Sequence, residues 1–276
     1  MSKTEPARFA QAAGPFADAT VIRTPTDGLD VERVTYDAPD GPVTAYLARP
    51  TGARALLPVV VVVSEAFGLH AHIEDIARRF GHLGYLAIAP DLMSRHGDPA
   101  AFSDVDSLVT QLLQRIPDSE VMSDLDATVR HAVAVGGDPS RIGVTGYCWG
   151  GRWVWLYAAN ANLAAAVAWY GILDGRASGA YPDEALFPLH PLDVAGELRT
   201  PVLGLYGGLD DAIPTSTIED MRRRLAKRAT QAPDAEVKVY ANAGHAFFAD
   251  YRETYEPNSA GDAWQRAIDW FRLHGV

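Results

Sequence analysis

The chain has 276 residues, of which 48% are hydrophobic and 21% charged, and its formal net charge is −11. These values indicate one large globular α/β domain and argue against wholesale disorder. The negative charge disfavours nucleic acid and anionic membrane surfaces as partners, so we expect a small-molecule ligand. The single cysteine excludes an intrachain disulfide. Because a free thiol nucleophile is best kept reduced, we expect a cytoplasmic protein.

The first 30 residues are interpreted as an amino-terminal arm that need not be tightly packed, and residues 31–276 as a single domain. Pro15, Asp18 and Pro25 interrupt the apolar stretches of this arm, so no signal peptide is predicted. The longest strongly apolar segment, residues 56–63, is too short to span a membrane and is predicted to form a buried strand.

Seven short apolar segments, most of them rich in β-branched or aromatic residues, are predicted to be strands. They lie at residues 43–48, 58–63, 85–89, 141–145, 165–169, 201–206 and 236–240. Helical patterns occupy residues 73–83, 119–135, 151–160, 216–229 and 262–273. This alternation predicts a mostly parallel central sheet with helices on both faces. In such sheets the functional groups gather in loops beyond the carboxyl ends of the strands.

The only cysteine lies in the pattern Gly146-x-Cys148-x-Gly150, directly after a predicted strand. This pattern is that of a strand-to-helix nucleophile turn, with sulfur in place of the usual serine oxygen. Small residues are needed there because the turn leaves no room for Cβ atoms. The following helix places partial positive charge near the thiol, which favours the thiolate. The alternative is a buried Cys148 that acts only as a small hydrophobic residue.

Two further loops supply partners for this thiol. Asp210 follows the strand predicted at residues 201–206, and His245 follows the last predicted strand. The order Cys148, Asp210, His245 is the nucleophile, acid and base order of the α/β-hydrolase triad. His245 would take the thiol proton and Asp210 would orient the imidazole. Asp211 and its neighbours could instead serve only as turn and capping residues.

The loop after the strand at residues 58–63 contains Glu65 and Ala66, where hydrolases of this type usually form half of the oxyanion hole. The backbone N–H groups of Ala66 and Trp149 are therefore the predicted oxyanion donors. Glu65 could hold the thiol of Cys148 neutral until substrate arrives. The alternative for Glu65 is a solvated acid of a loop without a catalytic role.

Two pairs of ring side chains flank the predicted site. His70 and His72 lie near Glu65, but no second cluster with ligand spacing accompanies them, so no metal is predicted. Trp149 and Trp153 are one helical turn apart beside the nucleophile. They are predicted to shape an apolar pocket for the acyl group.

Five segments together resemble the dienelactone hydrolase family, over roughly residues 30–276. They are Ser64-Glu65-Ala66-Phe67-Gly68, Ala89-Pro90-Asp91-Leu92, Gly146-Tyr147-Cys148-Trp149-Gly150-Gly151, Gly208-Leu209-Asp210 and Gly244-His245. The resemblance implies an α/β-hydrolase fold and a Cys-His-Asp triad with an extra glutamate that opens a cyclic enol lactone. The matching residues are Cys148, His245, Asp210 and Glu65. It also implies that the glutamate shifts on substrate binding and takes the thiol proton.

The same resemblance bears on the substrate, because family members of the dienelactone type hold the substrate carboxylate with two arginines. Arg95 matches the first arginine, but Ala249 stands at the position of the second. We expect that Arg252 does not fully substitute, which would relax the site towards neutral esters. Tyr170 matches a tyrosine that lines the family's pocket.

The sequence therefore predicts a hydrolase that opens a lactone or cleaves an activated ester through a cysteinyl acyl-enzyme, without a cofactor. Its oligomeric state is not predicted. A broader carboxylesterase or thioesterase is the second interpretation. A ligand-binding protein that has lost turnover is the third, and the complete set of four catalytic candidates argues against it. A thiol redox role is weaker because the chain has no resolving cysteine.

Overall fold

The computed structural model describes residues 9–276, except for the side chains of Ala177 and Ser178. Within this part of the chain, eight strands form one sheet in the order β1-β2-β4-β3-β5-β6-β7-β8. Their bounds are Leu29–Tyr36 (β1), Val43–Pro50 (β2), Leu57–Val63 (β3), Leu86–Pro90 (β4), Gly137–Tyr147 (β5), Ala165–Trp169 (β6), Val202–Gly207 (β7) and Ala235–Tyr240 (β8). β2 pairs antiparallel with β1 and β4, and all other neighbours are parallel. The prediction of a mostly parallel sheet is confirmed.

Helices cover the sheet in two layers. Their bounds are Ala71–His82 (α1), Val105–Gln111 (α2), Asp118–Ala134 (α3), Trp149–Asn160 (α4), Gly175–Ser178 (α5), Pro191–Val194 (α6), Thr215–Leu225 (α7) and Pro257–Leu273 (α8). α1 and α8 meet through Phe80, whose ring lies 4.8 Å from that of Trp264. α3 and α4 contact each other and the central strands. No helix in residues 9–276 has the length and apolar character needed to cross a bilayer.

The strand β1 and the helices α2, α5 and α6 lie outside the predicted set, and the first two differ from it most. β1 is an edge strand in which only the end residues Leu29 and Tyr36 are buried, so it lacks the apolar run by which the other strands were predicted. The short helix α2 buries only Leu108 and depends on Asp104, whose side chain accepts a hydrogen bond from the backbone of Ser107 at 2.8 Å. Neither β1 nor α2 has a strong apolar pattern of its own, so contacts with neighbouring elements stabilise both.

The described part of the amino-terminal arm is packed against the domain. The ring of Phe9 stacks on Tyr251 at 4.3 Å, and the backbone N–H of Ala17 donates to the carbonyl of Tyr251 at 2.9 Å. Phe16 and Arg252 form an antiparallel bridge. These residues of the arm therefore pack on a loop of the domain, which the sequence interpretation did not predict. Residues 1–8 lie outside the described residues.

Candidate active site

Cys148 occupies the turn between β5 and α4 with φ of +50° and ψ of −109°. Residues other than glycine rarely adopt this backbone conformation. It costs about 1–3 kcal/mol and is typical of functional sites. The neighbouring glycines allow the close approach of backbone segments. A Cβ at Gly146 would lie 2.5 Å from the carbonyl oxygen of Gly150, and a Cβ at Gly150 would lie 2.5 Å from that of Ser64. Larger residues at either position would displace the turn.

The turn brings Cys148 to the two predicted partners. The Sγ atom lies 3.2 Å from Nε2 of His245, and Nδ1 of His245 lies 2.9 Å from Oδ2 of Asp210. Burial alone would lower the pKa of His245. The charge of the Cys148 thiolate and the hydrogen bonds with Asp210 and Cys148 outweigh it and raise that pKa to about 10. The geometry thus favours a charged imidazolium at His245 beside the sulfur of Cys148.

Asp210 is fixed by its own loop at the carboxyl end of β7. Its Oδ1 atom accepts backbone hydrogen bonds from Ala212 at 2.9 Å and Ile213 at 3.1 Å, and its side chain is fully buried. The other oxygen, Oδ2, is free to accept from His245. Asp211 is exposed. The turn role considered for these aspartates therefore belongs to Asp210, in addition to its contact with His245.

A cavity of about 200 Å³ opens over Cys148 and His245. Its other lining residues are mostly apolar: Ala66, Phe67, Val105, Val109, Leu113, Trp149, Ile172, Ala180, Tyr181, Ala212 and Arg252. The backbone N–H groups of Ala66 and Trp149 donate no hydrogen bond to the described residues. Two unpaired donors beside the nucleophile are what an oxyanion hole requires. The size of the cavity restricts the acyl group to a small one.

Glu65 lies at the end of β3 but is engaged away from the thiol. Its Oε1 atom accepts a hydrogen bond from the hydroxyl of Tyr251 and lies 3.0 Å from Nε2 of His70. Burial alone would raise the pKa of Glu65, but the hydrogen bond and charge of His70, together with the charges of His72 and Arg252, lower it to about 2. Within residues 9–276, no hydrogen bond joins Glu65 to Cys148. Glu65 is a buried carboxylate and not a solvated loop acid.

The three residues predicted to bind substrate lie outside the cavity lining. The guanidinium of Arg95 binds Asp124 and also Glu120, with an Nη2–Oε1 distance of 2.6 Å. Two carboxylates therefore already neutralise its charge, which corrects the expectation that Arg95 binds a substrate anion. Trp153 is fully buried behind Trp149, with ring centroids 5.4 Å apart, so it supports the wall without forming it.

Tyr170 is also fully buried, and its ring meets the edge of His245 at 5.3 Å. Its backbone φ is +38°, and Ala246 beside the histidine has φ of +58°. With Cys148, these are the non-glycine residues of the described chain that have positive φ. Tyr170 thus packs on the base and does not line the cavity, contrary to the expectation drawn from the family.

Arg252 is the cation that the structure does place at the cavity. Its guanidinium lies 5.5 Å from the ring centroid of Phe67, and its Nε atom is buried without a hydrogen-bond partner among the described residues. Ala249 is fully buried, so an arginine at that position would have no room. The cation at the cavity is therefore Arg252, three positions after Ala249, where the family pattern places the second arginine.

The cavity also contains residues that the sequence interpretation missed. Val105, Val109 and Leu113 form one wall through α2 and the turn that follows it. Their spacing of four residues is that of one helical face and could have revealed this element. Tyr181 also lines the cavity, and its ring centroid lies 4.4 Å from the buried guanidinium of Arg152. No comparable pattern surrounds Tyr181 in the sequence.

Comparison with known proteins gives the family. The model of the "Dienelactone hydrolase family" matches residues 43–275. The chain belongs to the dienelactone hydrolase family. The resemblance found in the sequence is thereby confirmed, and this dienelactone hydrolase family member is a hydrolase with the α/β-hydrolase fold.

Relatives of this family member cover nearly its whole length. It is 48% identical over 277 residues to the "Putative carboxymethylenebutenolidase" of Escherichia coli O157:H7, covering 100% of this chain and 98% of the relative. A protein of the same name from Methylorubrum extorquens is 46% identical over 97% of this chain and 89% of its own. The crystal structure of a "Putative Dienelactone Hydrolase" from Klebsiella pneumoniae has 46% identity and a TM-score of 0.83, covering 88% of this chain and 98% of the other.

Proposed function

We propose that the protein hydrolyses a small lactone or activated ester through an acyl-enzyme formed on Cys148. The observation that carries the proposal is the continuous contact from Sγ of Cys148 to His245 and on to Asp210, with distances of 3.2 and 2.9 Å. This arrangement lies at the base of a cavity with two unpaired backbone donors. It contains a nucleophile, a base and an oxyanion site, which are the parts that acyl transfer needs.

The first half of the proposed reaction acylates the thiol. The thiolate of Cys148 attacks the carbonyl carbon, and the oxygen takes up negative charge beside the N–H groups of Ala66 and Trp149. Collapse of this tetrahedral intermediate breaks the bond to the leaving oxygen. That oxygen receives the proton held on Nε2 of His245, while Asp210 keeps the imidazole in the required tautomer.

The second half returns the enzyme to its starting state. Neutral His245 accepts a proton from water, and the resulting hydroxide attacks the thioester carbonyl. Collapse expels the thiolate of Cys148 next to the imidazolium, and the carboxylic acid product loses its proton to solvent. The negative charge that raises the pKa of His245 is absent from the acyl-enzyme, so the histidine can act as a base at this stage.

The cavity supports a substrate that combines an apolar acyl part with a carboxylate. Its lining is apolar apart from the catalytic groups and Arg252, and a guanidinium with an unsatisfied donor is suited to a carboxylate. The names of the two relatives specify a butenolide lactone that carries a carboxymethylene group. A lactone of this class is our proposed substrate.

Rapid mixing with p-nitrophenyl acetate tests the covalent step. We expect a burst of p-nitrophenol followed by slower turnover if deacylation limits the rate, and an acetyl group on the peptide containing Cys148 after acid quenching. Blocking the thiol beforehand with iodoacetamide should prevent both. An acetyl group found on another residue, or turnover by the blocked enzyme, would contradict a cysteinyl intermediate.

Replacement of Arg252 tests the carboxylate site. We expect Arg252→Met to lower kcat/KM for a carboxylated lactone by about 10- to 100-fold, because the substrate anion loses a charged hydrogen-bond partner in a largely apolar cavity. The value for p-nitrophenyl acetate should change by less than about threefold, since this ester has no carboxylate.

Arg252→Lys is the matched control because it keeps the positive charge. It should retain more of the preference for the carboxylated lactone than Arg252→Met does. If both variants lose activity on the two substrates equally, Arg252 supports the fold of the site and the assignment of a carboxylate site is wrong.

A further inference from the structure

The segment between β6 and α6, residues 170–190, forms one wall of the cavity over Cys148. It contributes Ile172, Ala180 and Tyr181 to the lining. Tyr181 has the largest side chain of the three, is 5% exposed and has no part in the triad or the oxyanion site. Because most of its side chain is held inside the protein, the position of its ring decides how much of the cavity a substrate can occupy.

Arg152 fastens this segment to the helix that follows the nucleophile. It lies on α4, four residues after Cys148, and its side chain is fully buried. Its Nη1 and Nη2 atoms donate to the two carboxylate oxygens of Asp118 at 2.9 and 3.0 Å. Nη2 also donates to the carbonyl of Leu189 at 2.8 Å. Asp118 neutralises the buried cation in a bidentate pair, so Arg152 serves the segment and not a substrate anion.

The ring of Tyr181 packs on the guanidinium of Arg152. Its centroid lies 4.4 Å from Cζ of Arg152 and 5.0 Å from the ring centroid of Phe187. The backbone of Gly175 lies directly against the same ring, because a Cβ at Gly175 would be 2.2 Å from Cδ2 of Tyr181. A cation on an aromatic face attracts the ring most strongly where water is excluded. The ring therefore cannot leave the cavity wall without displacing one of these three neighbours.

Further hydrogen bonds hold the backbone of the same segment. The backbone N–H of Asp118 donates to the carbonyl of Leu186 at 3.0 Å. Nε2 of Gln114 donates to the carbonyl of Ala180 at 3.1 Å, and Gln114 directly follows Leu113, which lines the cavity. The wall that contains Tyr181 is thus joined to the wall formed by α2 and the turn after it. This connection resists widening of the cavity when a larger substrate enters.

We propose that Tyr181 is a specificity-determining residue that limits the size of the ester or lactone accepted beside Cys148, and that Arg152 is the positioning residue that holds its ring. The proposal rests on the proposed function, in which Cys148 attacks the substrate carbonyl in this cavity. The substrate class that follows is small esters and lactones whose carbon skeleton ends at the ring of Tyr181. Arg152 touches no substrate and acts through Tyr181.

Removal of the ring tests the first part of the proposal. We expect Tyr181→Ala to raise the ratio of kcat/KM for a large ester to that for a small one by about tenfold or more, because one methylene group in an apolar pocket changes discrimination by about 10- to 200-fold. The pair p-nitrophenyl hexanoate and p-nitrophenyl acetate varies the acyl group. The pair 2-naphthyl acetate and phenyl acetate varies the leaving group. The pair that responds shows which part of the substrate faces Tyr181.

Tyr181→Phe is the matched control for this change. It keeps the ring and its contact with Arg152, so both ratios should stay within about threefold of wild type. Unchanged ratios for both pairs in Tyr181→Ala would overturn the proposal.

Removal of the buried ion pair tests the role of Arg152. Arg152→Met is combined with Asp118→Asn, because either change alone would leave a buried charge unpaired. We expect this double variant to raise the same ratio as Tyr181→Ala does, by about three- to tenfold, since the ring loses its cation. If the double variant does not fold, Phe187→Leu loosens the ring at another neighbour and should raise that ratio by about threefold.

Combination of the two tests separates positioning from a general effect on the fold. In a background of Tyr181→Ala, the double variant should change the ratio by less than about twofold, because no ring remains to be positioned. Full additivity would overturn the role assigned to Arg152. A failure of the proposed function gives a different result, in which the wild type hydrolyses none of the four esters or Cys148→Ala hydrolyses them equally fast.

Discussion

Cys148→Ala is expected to reduce turnover of both p-nitrophenyl acetate and a carboxylated lactone by about 10⁴-fold or more. Cys148 is the residue whose Sγ contacts the base at 3.2 Å and which the strained turn projects into the cavity. Alanine has no atom that can form the acyl bond, whereas the two oxyanion donors and the cavity remain. The measurement is the steady-state rate on both substrates with a fully folded variant.

Cys148→Ser provides the matched control for this loss. A hydroxyl of similar size can be positioned by the same turn, but it is far less acidic than a thiol, so activity should lie between that of the alanine variant and wild type. Equal turnover by wild type and Cys148→Ala would place the nucleophile elsewhere. It would also remove the support for the acyl-enzyme mechanism.

Asp210→Asn is expected to lower kcat by about 10³- to 10⁴-fold without unfolding the protein. Asparagine keeps an oxygen that can accept from Ala212 and Ile213, so the loop after β7 retains its hydrogen bonds. Its amide group then faces Nδ1 of His245 as a donor, which forces the proton onto Nε2 and removes the acceptor that the thiol needs. The measurement is kcat together with a thermal unfolding curve.

The neighbouring residue offers a control that carries the same chemical change. Asp211 is exposed and does not face His245, so Asp211→Asn should leave kcat within about twofold of wild type. If Asp210→Asn also retained most of the activity, Asp210 would be only a turn residue of its loop. The imidazole would then have to be oriented by another group.

The sequence predicts those parts of the fold that depend on strong local patterns. The valine run of β3 and the alternation of later strands with helices determine the central sheet, and these predictions are confirmed by the strand order. The edge strand β1 and the helix α2 were missed because each buries little of its own surface. Their stability depends on packing against neighbouring elements, such as β2 beside β1.

The residues of the site also differ in whether a local sequence pattern or their tertiary partners determine their position. Cys148, Asp210 and His245 were predicted to meet because each follows a strand, and the carboxyl ends of parallel strands meet at one edge of the sheet. Arg95 was misassigned because its charge is taken up by Glu120 and Asp124, carboxylates 25 and 29 positions away. Position along the chain predicts which loops meet, whereas the direction of a long side chain depends on its tertiary partners.

The contact between the arm and Tyr251 affects the order in which parts of the site form during synthesis. Phe9 is synthesised more than 200 residues before its stacking partner Tyr251. The loop that bears Arg252 therefore gains its contacts with the arm only after both segments have been synthesised. Contacts of such long sequence separation form late in folding, so a nascent chain can form the turn at Cys148 well before the arm packs on Tyr251.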